Sequence, residues 1–524
     1  MSMSTGLSRI TGFVRVWATA YALGVTALAA SYHVANNIPN MLYELVAGGI
    51  ISSLFIPIFM ERLKQYGEED AWKYASYLFN ITVLALGAAA ALAIFFAEQV
   101  VWTQTFRTDA QDAALIVFFF QIFAIQVAFY GAGAVISGLL NAHRRFLWPA
   151  LGPAFNNLTV IATLIAYTQI VSVDPTAAKW TLAIGTTLGV LVMFGVQLPS
   201  LIALRPKYTW RIDLSHPGLK AMGKMALPTV IYVITNIVAV SFRNAYALDV
   251  AADGPATLSY AWMFYQLPYG ILAVALATAF FTELSDAAGR QDLEEFRTRF
   301  TTGIRATAML ILPASALLIA LAHPLITLYR AGKFTAEDVP QVAAVLQWWA
   351  SGLFFFASFM FVLKTFYSLK DTRTPMLTNL GLTVVHVGLY AVLTTGALGF
   401  AGIGLVGIPI SDAVFYAMSA ILLAYLLRRK IGNFGAGTVV KTIVKIAIAA
   451  AIGGGAAFGV AQAFPNPDAL PKIALATVLA GGITGLAVTW GAARLLRVQE
   501  LSYGEELVRK GLSKIGRQKR SSKQ

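Results

Sequence analysis

The sequence predicts an all-α membrane protein of about fourteen transmembrane helices, from its composition, the length of its apolar runs and the placement of its basic residues. Hydrophobic residues make up 58% of the 524 residues and charged residues only 12%, whereas a soluble domain carries about a quarter charged residues. A soluble protein of this length could not bury so much apolar surface. Almost no β-structure is expected, because backbone groups at membrane depth must be satisfied within each segment.

Apolar runs of about 20 residues recur along the chain, and each could cross a hydrocarbon core of about 30 Å as a helix. The first run contains Arg9 and Arg15 and lacks a small-residue cleavage site, so we expect no cleavable signal peptide. The predicted spans begin near Leu7, Ile38, Trp72, Ala113, Pro149, Lys179, Gly218, Leu258, Phe296, Val339, Pro375, Phe400, Val439 and Asp468.

The net charge of +14 comes from basic residues that cluster in alternate loops and in the C-terminal tail. The loops between those clusters hold few basic residues, namely Arg107, Lys179, Arg330, Lys333 and Lys472. This positive-inside pattern places both termini in the cytoplasm and makes the number of spans even. It also favours a membrane-surface anchor or topology signal over a nucleic-acid site for the basic tail.

An internal repeat is indicated by three pairs of matching segments. Ala20–Leu23 (Ala-Tyr-Ala-Leu) recurs 225 positions later, Pro149 matches Pro375 after a short polar turn, and Ile38-Pro39 matches Leu267-Pro268. Six helices fit in each period, so both copies have the same orientation, as in transporters whose two lobes alternate access to a cavity. A channel is disfavoured because no filter-like sequence is evident. We predict lobes at residues 1–213 and 214–430, two further helices at 431–500 and a basic cytoplasmic tail at 501–524.

Arg9 and Arg15 are candidate binding residues on the first span. A charge at the bilayer centre costs about 2.5 to 3.5 kcal/mol on insertion, so it is expected to have a partner, a water-filled cavity or a function. Gly12 shares a helix face with Arg15 and would let a neighbouring helix or a ligand approach the backbone. A guanidinium matches phosphate oxygens, so an anionic head group is one interpretation. The alternative is that Arg9 extends to the cytoplasmic interface.

Further polar candidates lie on other spans. Asn40 and Glu44 are on the second span and Arg243 is deep in the seventh, so Glu44 and Arg243 could form a structural ion pair, a substrate site, or both. Asp412 has no obvious partner in the sequence, and it could cap a broken helix or carry a coupling proton.

Enzyme chemistry is not supported by any motif. There is no Walker A pattern and no nucleophile elbow, the five histidines lack metal-ligand spacing, and cysteine is absent. We therefore expect no catalytic residues, metal or cofactor. Transport would be driven by the membrane potential or by a gradient of H⁺ or Na⁺, between which the sequence does not decide.

The segment Ser8–Arg15 (Ser-Arg-Ile-Thr-Gly-Phe-Val-Arg), followed by Ile38-Pro39-Asn40, resembles the MurJ (MviN) lipid II flippase family of the MOP transporter superfamily. Gly332-Lys333-Phe334-Thr335 and the stretch from Phe366 to Pro375 agree in order and spacing. Tyr43-Glu44-Leu45 with Gly48-Gly49 looks more like an actinobacterial-type branch. The resemblance covers the chain to about Lys430.

The resemblance implies a two-lobed transporter whose cationic cavity binds the pyrophosphate of undecaprenyl-linked disaccharide pentapeptide, while a groove shelters the lipid tail. The family's first-helix arginines map onto Arg9 and Arg15. At two positions where the resemblance implies further arginines, this chain has Glu44 and a residue near Met263. Where the resemblance implies an acidic residue, it has Ala30. We hypothesise that Arg243 restores a cavity cation and that Glu44 holds it, or Arg15, in the closed state.

The resemblance further implies the bacterial cytoplasmic (inner) membrane as location, membrane lipids as surroundings and cell-wall synthases as partners. Other functions remain open: a flippase for another polyprenyl-linked glycan, a multidrug exporter of the same superfamily, or a regulatory scaffold with no transport. An exporter of cations is disfavoured because the first span carries arginines and no acid.

Overall fold

The computed structural model describes residues 2–43, 55–397, 399–464, 470–498 and 500–501, and within these ranges the chain is helical with no strand. Two compact units are present: Met1–Ser259 with Ala331–Thr335, and Tyr260–Arg330 with Ala336–Gln524. The division into lobes at 213/214 rests on the repeat and stays a prediction.

The helices of the first unit are α1 Ser2–Leu23, α2 Ala27–Tyr43, α3 Ile56–Gln65, α4 Gly67–Phe95, α5 Ala97–Thr105, α6 Ala110–Phe123, α7 Gln126–Ala142, α8 Leu147–Ile170, α9 Pro175–Gly195, α10 Leu198–Ile202 and α11 Pro217–Val250. Helix α12, Gly254–Pro268, begins in this unit and ends in the second. The remaining helices are α13 Val274–Gly289, α14 Leu293–Ala320, α15 Ala322–Thr327, α16 Asp338–Ser368, α17 Arg373–Tyr390, α18 Gly407–Ile431, α19 Ala436–Ala463 and α20 Pro471–Leu495.

Eleven helical segments of the described chain are long and apolar enough to cross a membrane, and each coincides with one of the predicted spans. The all-α membrane fold is therefore confirmed. The other three predicted spans fall on α1, α2 and α11, which are not among the eleven. The count of fourteen stays a prediction.

The second span begins earlier than the sequence predicts. Gly24 has a φ of +65° and closes α1 by donating its N–H to the carbonyl of Ala20, a left-handed conformation that glycine adopts at no steric cost. The hydroxyl of Thr26 then accepts from the N–H of Ala29 at 3.2 Å and starts α2. The predicted start at Ile38 is wrong because Pro39 lies inside α2 and not at its first turn.

The Gly332–Thr335 motif packs in the first unit, against the end of α1. The N–H of Lys333 donates to the carbonyl of Tyr21 at 2.9 Å, and the Phe334 side chain is buried. Gly332 has a φ of +60°, and a Cβ there would collide with the backbone of Tyr21. This motif therefore depends on glycine for both conformation and close approach.

Two turns with the same backbone geometry lie at equivalent positions of the predicted repeat, before α8 and before α17. Arg144 and Lys370, which are 226 positions apart, have φ values of 59° and 57°. In each turn the next residue donates its N–H to a carbonyl five positions back, from Arg145 to Leu140 and from Asp371 to Phe366. The same left-handed turn with the same hydrogen bond also follows α13 at Gln291 and α20 at Arg497, so it is a general helix-ending motif in this chain and the repeat stays a prediction.

Asp371 stabilises the second of these turns. Its carboxylate accepts from the N–H of Thr374 at 3.0 Å, from the hydroxyl of Thr374 at 2.8 Å and from the ammonium of Lys430 at 2.7 Å. Burial raises the pKa of the Asp371 carboxyl, but the hydrogen bonds from Lys430 and Thr374 outweigh it and hold the pKa below its ordinary value. Asp371 is therefore an ionised anchor at the start of α17.

Small residues allow α19 and α20 to pack closely. A Cβ at Gly453 would collide with the hydroxyl of Thr489 and the carbonyl of Gly485, whereas a Cβ at Gly455 would meet nothing within 4 Å. We expect Gly453→Leu to lower the free energy of unfolding by about 1–3 kcal/mol through overpacking. Gly455→Leu is the matched control on the same helix, and it should be neutral or slightly stabilising because leucine favours a helix over glycine.

Thermal unfolding of the two purified variants in detergent measures this difference. Equal melting temperatures for Gly453→Leu and Gly455→Leu would contradict the packing described for α19 and α20.

Candidate functional site

The Gly12 face of α1 packs against α8. The amide nitrogen of Asn157 donates to the carbonyl of Ser8 at 3.3 Å and to the hydroxyl of Thr11 at 3.1 Å. A Cβ at Gly12 would lie 3.6 Å from that nitrogen, an ordinary contact. Helix α8 therefore approaches Gly12 without requiring a glycine there, and both predicted uses of Gly12 stay predictions.

Arg9 and Arg15 differ in their surroundings. Arg9 is exposed, whereas Arg15 is half-buried and lies within electrostatic range of Tyr32 and His33 on α2. Within the described chain neither guanidinium makes a hydrogen bond or an ion pair. Arg15 is thus a partly desolvated cation with its donors available, which is what an anionic ligand requires.

Arg243 on α11 is half-buried, and its buried Nε finds no acceptor among the described residues. Its neighbour Asn244 donates to the side-chain oxygen of Gln104 at 2.9 Å, and the Gln104 amide donates to the hydroxyl of Ser241. These bonds fix α11 against α5 without using the guanidinium. The predicted partner Glu44 lies outside the described residues, so pairing between Arg243 and Glu44 stays a hypothesis.

Arg15 and Arg243 lie on helices with different principal neighbours. Helix α1 packs mainly against α8 and more lightly against α2, while α11 packs against α5, α3 and α4. A shared role for the two arginines is therefore still a prediction.

Asn40 is already hydrogen-bonded within the first unit. Its side-chain oxygen accepts from the Tyr130 hydroxyl at 2.7 Å, and its nitrogen donates to the carbonyl of Asn36 at 2.8 Å. Binding a substrate through this amide would require exchange of one of these bonds. Ala30, where the family has an acidic residue, is fully buried in α2.

An apolar groove of about 1040 Å³ lies in the second unit between α12, α14 and α20. Helix α12 ends at Pro268 and continues as a wider π-helical turn, Tyr269–Ala273, which contributes Ile271 to the wall. The lining is almost wholly hydrophobic, and includes Phe264, Met309, Leu310, Ala314, Leu486 and Trp490. The groove fits a hydrocarbon chain and offers nothing to a polar head group.

Asp412 has partners that the sequence did not reveal. The carboxylate is buried on α18, with Oδ2 accepting from the indole N–H of Trp349 at 2.8 Å. Its Oδ1 lies 2.8 Å from Nε2 of His386 and accepts from the hydroxyl of Tyr390 at 2.5 Å. His386 and Tyr390 share one face of α17, but their spacing alone does not pair that face with Asp412.

A family model described as "Lipid II flippase MurJ" matches residues 19–478 of this chain. The chain belongs to the MurJ family. A Rhizobium meliloti protein named "Probable lipid II flippase MurJ" is 28% identical over 517 residues, covering 97% of this chain and 94% of the relative. "Lipid II flippase MurJ" of Burkholderia cenocepacia is 28% identical over 434 residues, covering 81% of this chain and 82% of the relative.

Solved structures agree on the fold. A structure titled "Lipid II flippase MurJ, inward closed conformation" aligns with a TM-score of 0.76 at 22% identity, covering 94% of this chain and 99% of that one. An inward-facing MATE multidrug transporter of the MOP superfamily aligns with a TM-score of 0.67 at 16% identity, covering 84% and 96%. The MurJ family predicted from sequence is thus confirmed, while the MOP superfamily and the actinobacterial-type branch stay predictions.

Membership in the MurJ family makes this chain a multi-pass membrane protein of a transporter family. No sequence motif for covalent chemistry accompanies the fold. The features to be explained are therefore half-buried cations in the first unit and, separately, an apolar groove and a buried carboxylate in the second.

Proposed function

We propose that this MurJ family member flips lipid II, the undecaprenyl-pyrophosphate-linked disaccharide pentapeptide, from the cytoplasmic to the outer leaflet by alternating access. The observation that carries the proposal is the match of the MurJ family model to residues 19–478, nearly the whole helical chain. Curated relatives with the lipid II flippase name cover almost the same length.

Binding of the anionic head group requires cations that are partly shielded from water. Arg15 and Arg243 are half-buried, and neither has an ion-pair partner among the described residues. A guanidinium donates two parallel hydrogen bonds to phosphate oxygens, and its charge gains strength where water is excluded. We propose that these two arginines bind the pyrophosphate. The exposed Arg9 would make a weaker contact at the membrane interface.

The polyprenyl tail needs an apolar surface that is continuous with lipid. The groove between α12, α14 and α20 has the volume and lining for such a chain, since Thr489 is its one hydroxyl-bearing wall residue among those described. Dispersion contacts with the wall replace those with membrane lipids. The groove supports a substrate with a hydrocarbon tail over a small hydrophilic one.

A flippase for another polyprenyl-linked glycan is the second candidate. The departures at Glu44, Met263 and Ala30 favour it, because they remove charges that the family resemblance places there. Such a lipid would need the same phosphate cations and the same tail groove. Only the sugar-recognising contacts would differ.

The same proposal places the chain in the bacterial cytoplasmic membrane with both termini in the cytoplasm, close to cell-wall synthases. Its energy comes from the membrane potential or an ion gradient, since it has no nucleotide-binding motif.

Depletion of the native lipid II flippase in a bacterial host, with this chain expressed in its place, tests the proposal. We expect growth and normal cell shape to be restored. Lysis of cells that contain the chain in the membrane at normal level would contradict the proposal. Rescue of a host depleted of a teichoic-acid or capsule flippase, without rescue of the lipid II strain, would select the second candidate.

A further inference from the structure

The environment of Asp412 is unusual for a membrane-spanning helix. Asp412 on α18 is 4% exposed, and two other helices contribute to its surroundings, with Trp349 from α16 and His386 and Tyr390 from α17. An ionised carboxylate at such depth is costly, so it is retained for packing specificity or for function.

A purely structural role leaves one atom unexplained. Because Nε2 of His386 faces the carboxylate, it carries the ring proton and donates it, which leaves a lone pair on Nδ1. That Nδ1 is buried and finds no hydrogen-bond partner in the described part of the chain, on a residue only 5% exposed. A buried acceptor without a donor is a place where a proton can add.

The chemistry of the cluster distinguishes a proton from a metal cation. The indole N–H, the phenol O–H and the imidazole N–H all point their hydrogens at the carboxylate. An indole nitrogen has no lone pair to offer a cation, and hard cations require several oxygen ligands. Sodium would have to displace these donors, whereas a proton adds to Nδ1 and leaves them in place.

The backbone next to the cluster is irregular. Directly after Tyr390 the helix widens into a π-helical segment, Ala391–Gly396, and a short 3₁₀ turn, Gly404–Val406, precedes α18. Interrupted helices at membrane depth occur where they line cavities or ion sites, and π-helical turns often mark functional positions. The break lies within two helical turns of the buried carboxylate.

Few other groups near the pair change charge. The neighbouring titratable side chains are Tyr390 of α17, Tyr265 of α12 with Tyr269 beside it, and Tyr416 of α18. Trp349 is the group that α16 presents, and the Phe415 ring stacks on the His386 imidazole at 4.3 Å with an interplanar angle of 9°. A ring face at this distance stabilises a charged imidazolium.

From this geometry we infer that His386 and Asp412 form the proton-binding site that couples transport in this chain, an inference that rests on the proposed function. In the empty state neutral His386 donates to ionised Asp412, and the pair carries one negative charge. In the loaded state the incoming proton is bonded to Nδ1, and imidazolium and carboxylate together are neutral. The two states differ in charge, so each favours a different packing of α16, α17 and α18.

Proton binding is measured directly by NMR on the purified full-length chain with ¹⁵N-labelled histidine rings, using His386→Gln to assign the signal. The glutamine in this variant keeps an N–H donor toward Asp412 and removes only the titration. We expect the Nδ1 signal of His386 to change with pH as the ring takes up a proton, and to change differently in Asp412→Asn. A His386 signal that stays unchanged with pH would overturn the inference.

Coupling is measured in vesicles that contain the purified protein and labelled lipid II. We expect a pH gradient to speed flipping and a sodium gradient to have no effect, with the pH response lost in His386→Gln and Asp412→Asn. Asp371→Asn, an aspartate outside the spans, is the matched control and should keep the response. If the wild type flips lipid II at the same rate with and without a pH gradient, the inference is wrong, but the proposed function is not contradicted.

If the wild type moves no lipid, the proposed function fails, and the His386 titration then decides the proton site by itself.

Discussion

Arg15→Ala and Arg243→Ala are each expected to slow lipid II flipping roughly tenfold to a hundredfold, because a hydrogen bond to a charged group contributes about 1.5–3 kcal/mol. Both guanidiniums are half-buried, and among the described residues neither has an anionic partner that would remain behind unpaired. Their loss should therefore remove a ligand contact with little cost in stability. Growth of the flippase-depleted host measures the effect in cells.

Lysine at the same positions sharpens the test. It keeps the charge but not the two-pronged geometry, so Arg15→Lys and Arg243→Lys should recover part of the rate. Arg429→Ala is the matched control, because Arg429 is exposed and stacks over Tyr425 at 4.7 Å. Full rescue of growth by both Arg15→Ala and Arg243→Ala would show that these cations do not hold the substrate.

Filling the apolar groove is expected to block long-tailed substrates selectively. Ala314→Trp and Ala487→Trp each place an indole in the space between α12, α14 and α20. If the tail loses about ten wall contacts, each worth about 0.1–0.2 kcal/mol, flipping slows about tenfold. A head-group analogue with a tail too short to enter the groove should move at the normal rate.

Ala451→Trp provides the matched control, since Ala451 is exposed on α19 and does not line the groove. It should leave both substrates unaffected. An equal loss for long and short tails in the groove variants would indicate a general folding defect, and an unchanged rate for both would show that the tail does not use this groove.

Most of the fold was predictable because hydrocarbon imposes a simple rule on sequence. Eleven of the predicted spans coincide with long apolar helices of the described chain. The repeat predicted from Pro149 and Pro375 stays a prediction, because the turn that precedes both prolines also ends other helices of the chain. The start of α2 was missed because the bonds made by Gly24 and Thr26, which end α1 and begin α2, were not recognised in the sequence.

The candidate site was only partly predictable. Arg15 and Arg243 stand out in sequence as charges in apolar runs, and the described part of the structure leaves both guanidiniums available. The partners of Asp412 could not be inferred in the same way, because Trp349 and His386 lie 63 and 26 positions away and meet it only through helix packing. Long-range packing of this kind leaves no periodic signal in a single sequence.

The most direct measurement is the flipping of labelled lipid II by the purified chain in protein-containing vesicles, with protein-free vesicles as reference. Our account predicts that the label becomes accessible on the far leaflet only when the chain is present, and that Arg15→Ala with Arg243→Ala abolishes this. Transfer no faster than in protein-free vesicles, from a chain that is folded and correctly inserted, would contradict it.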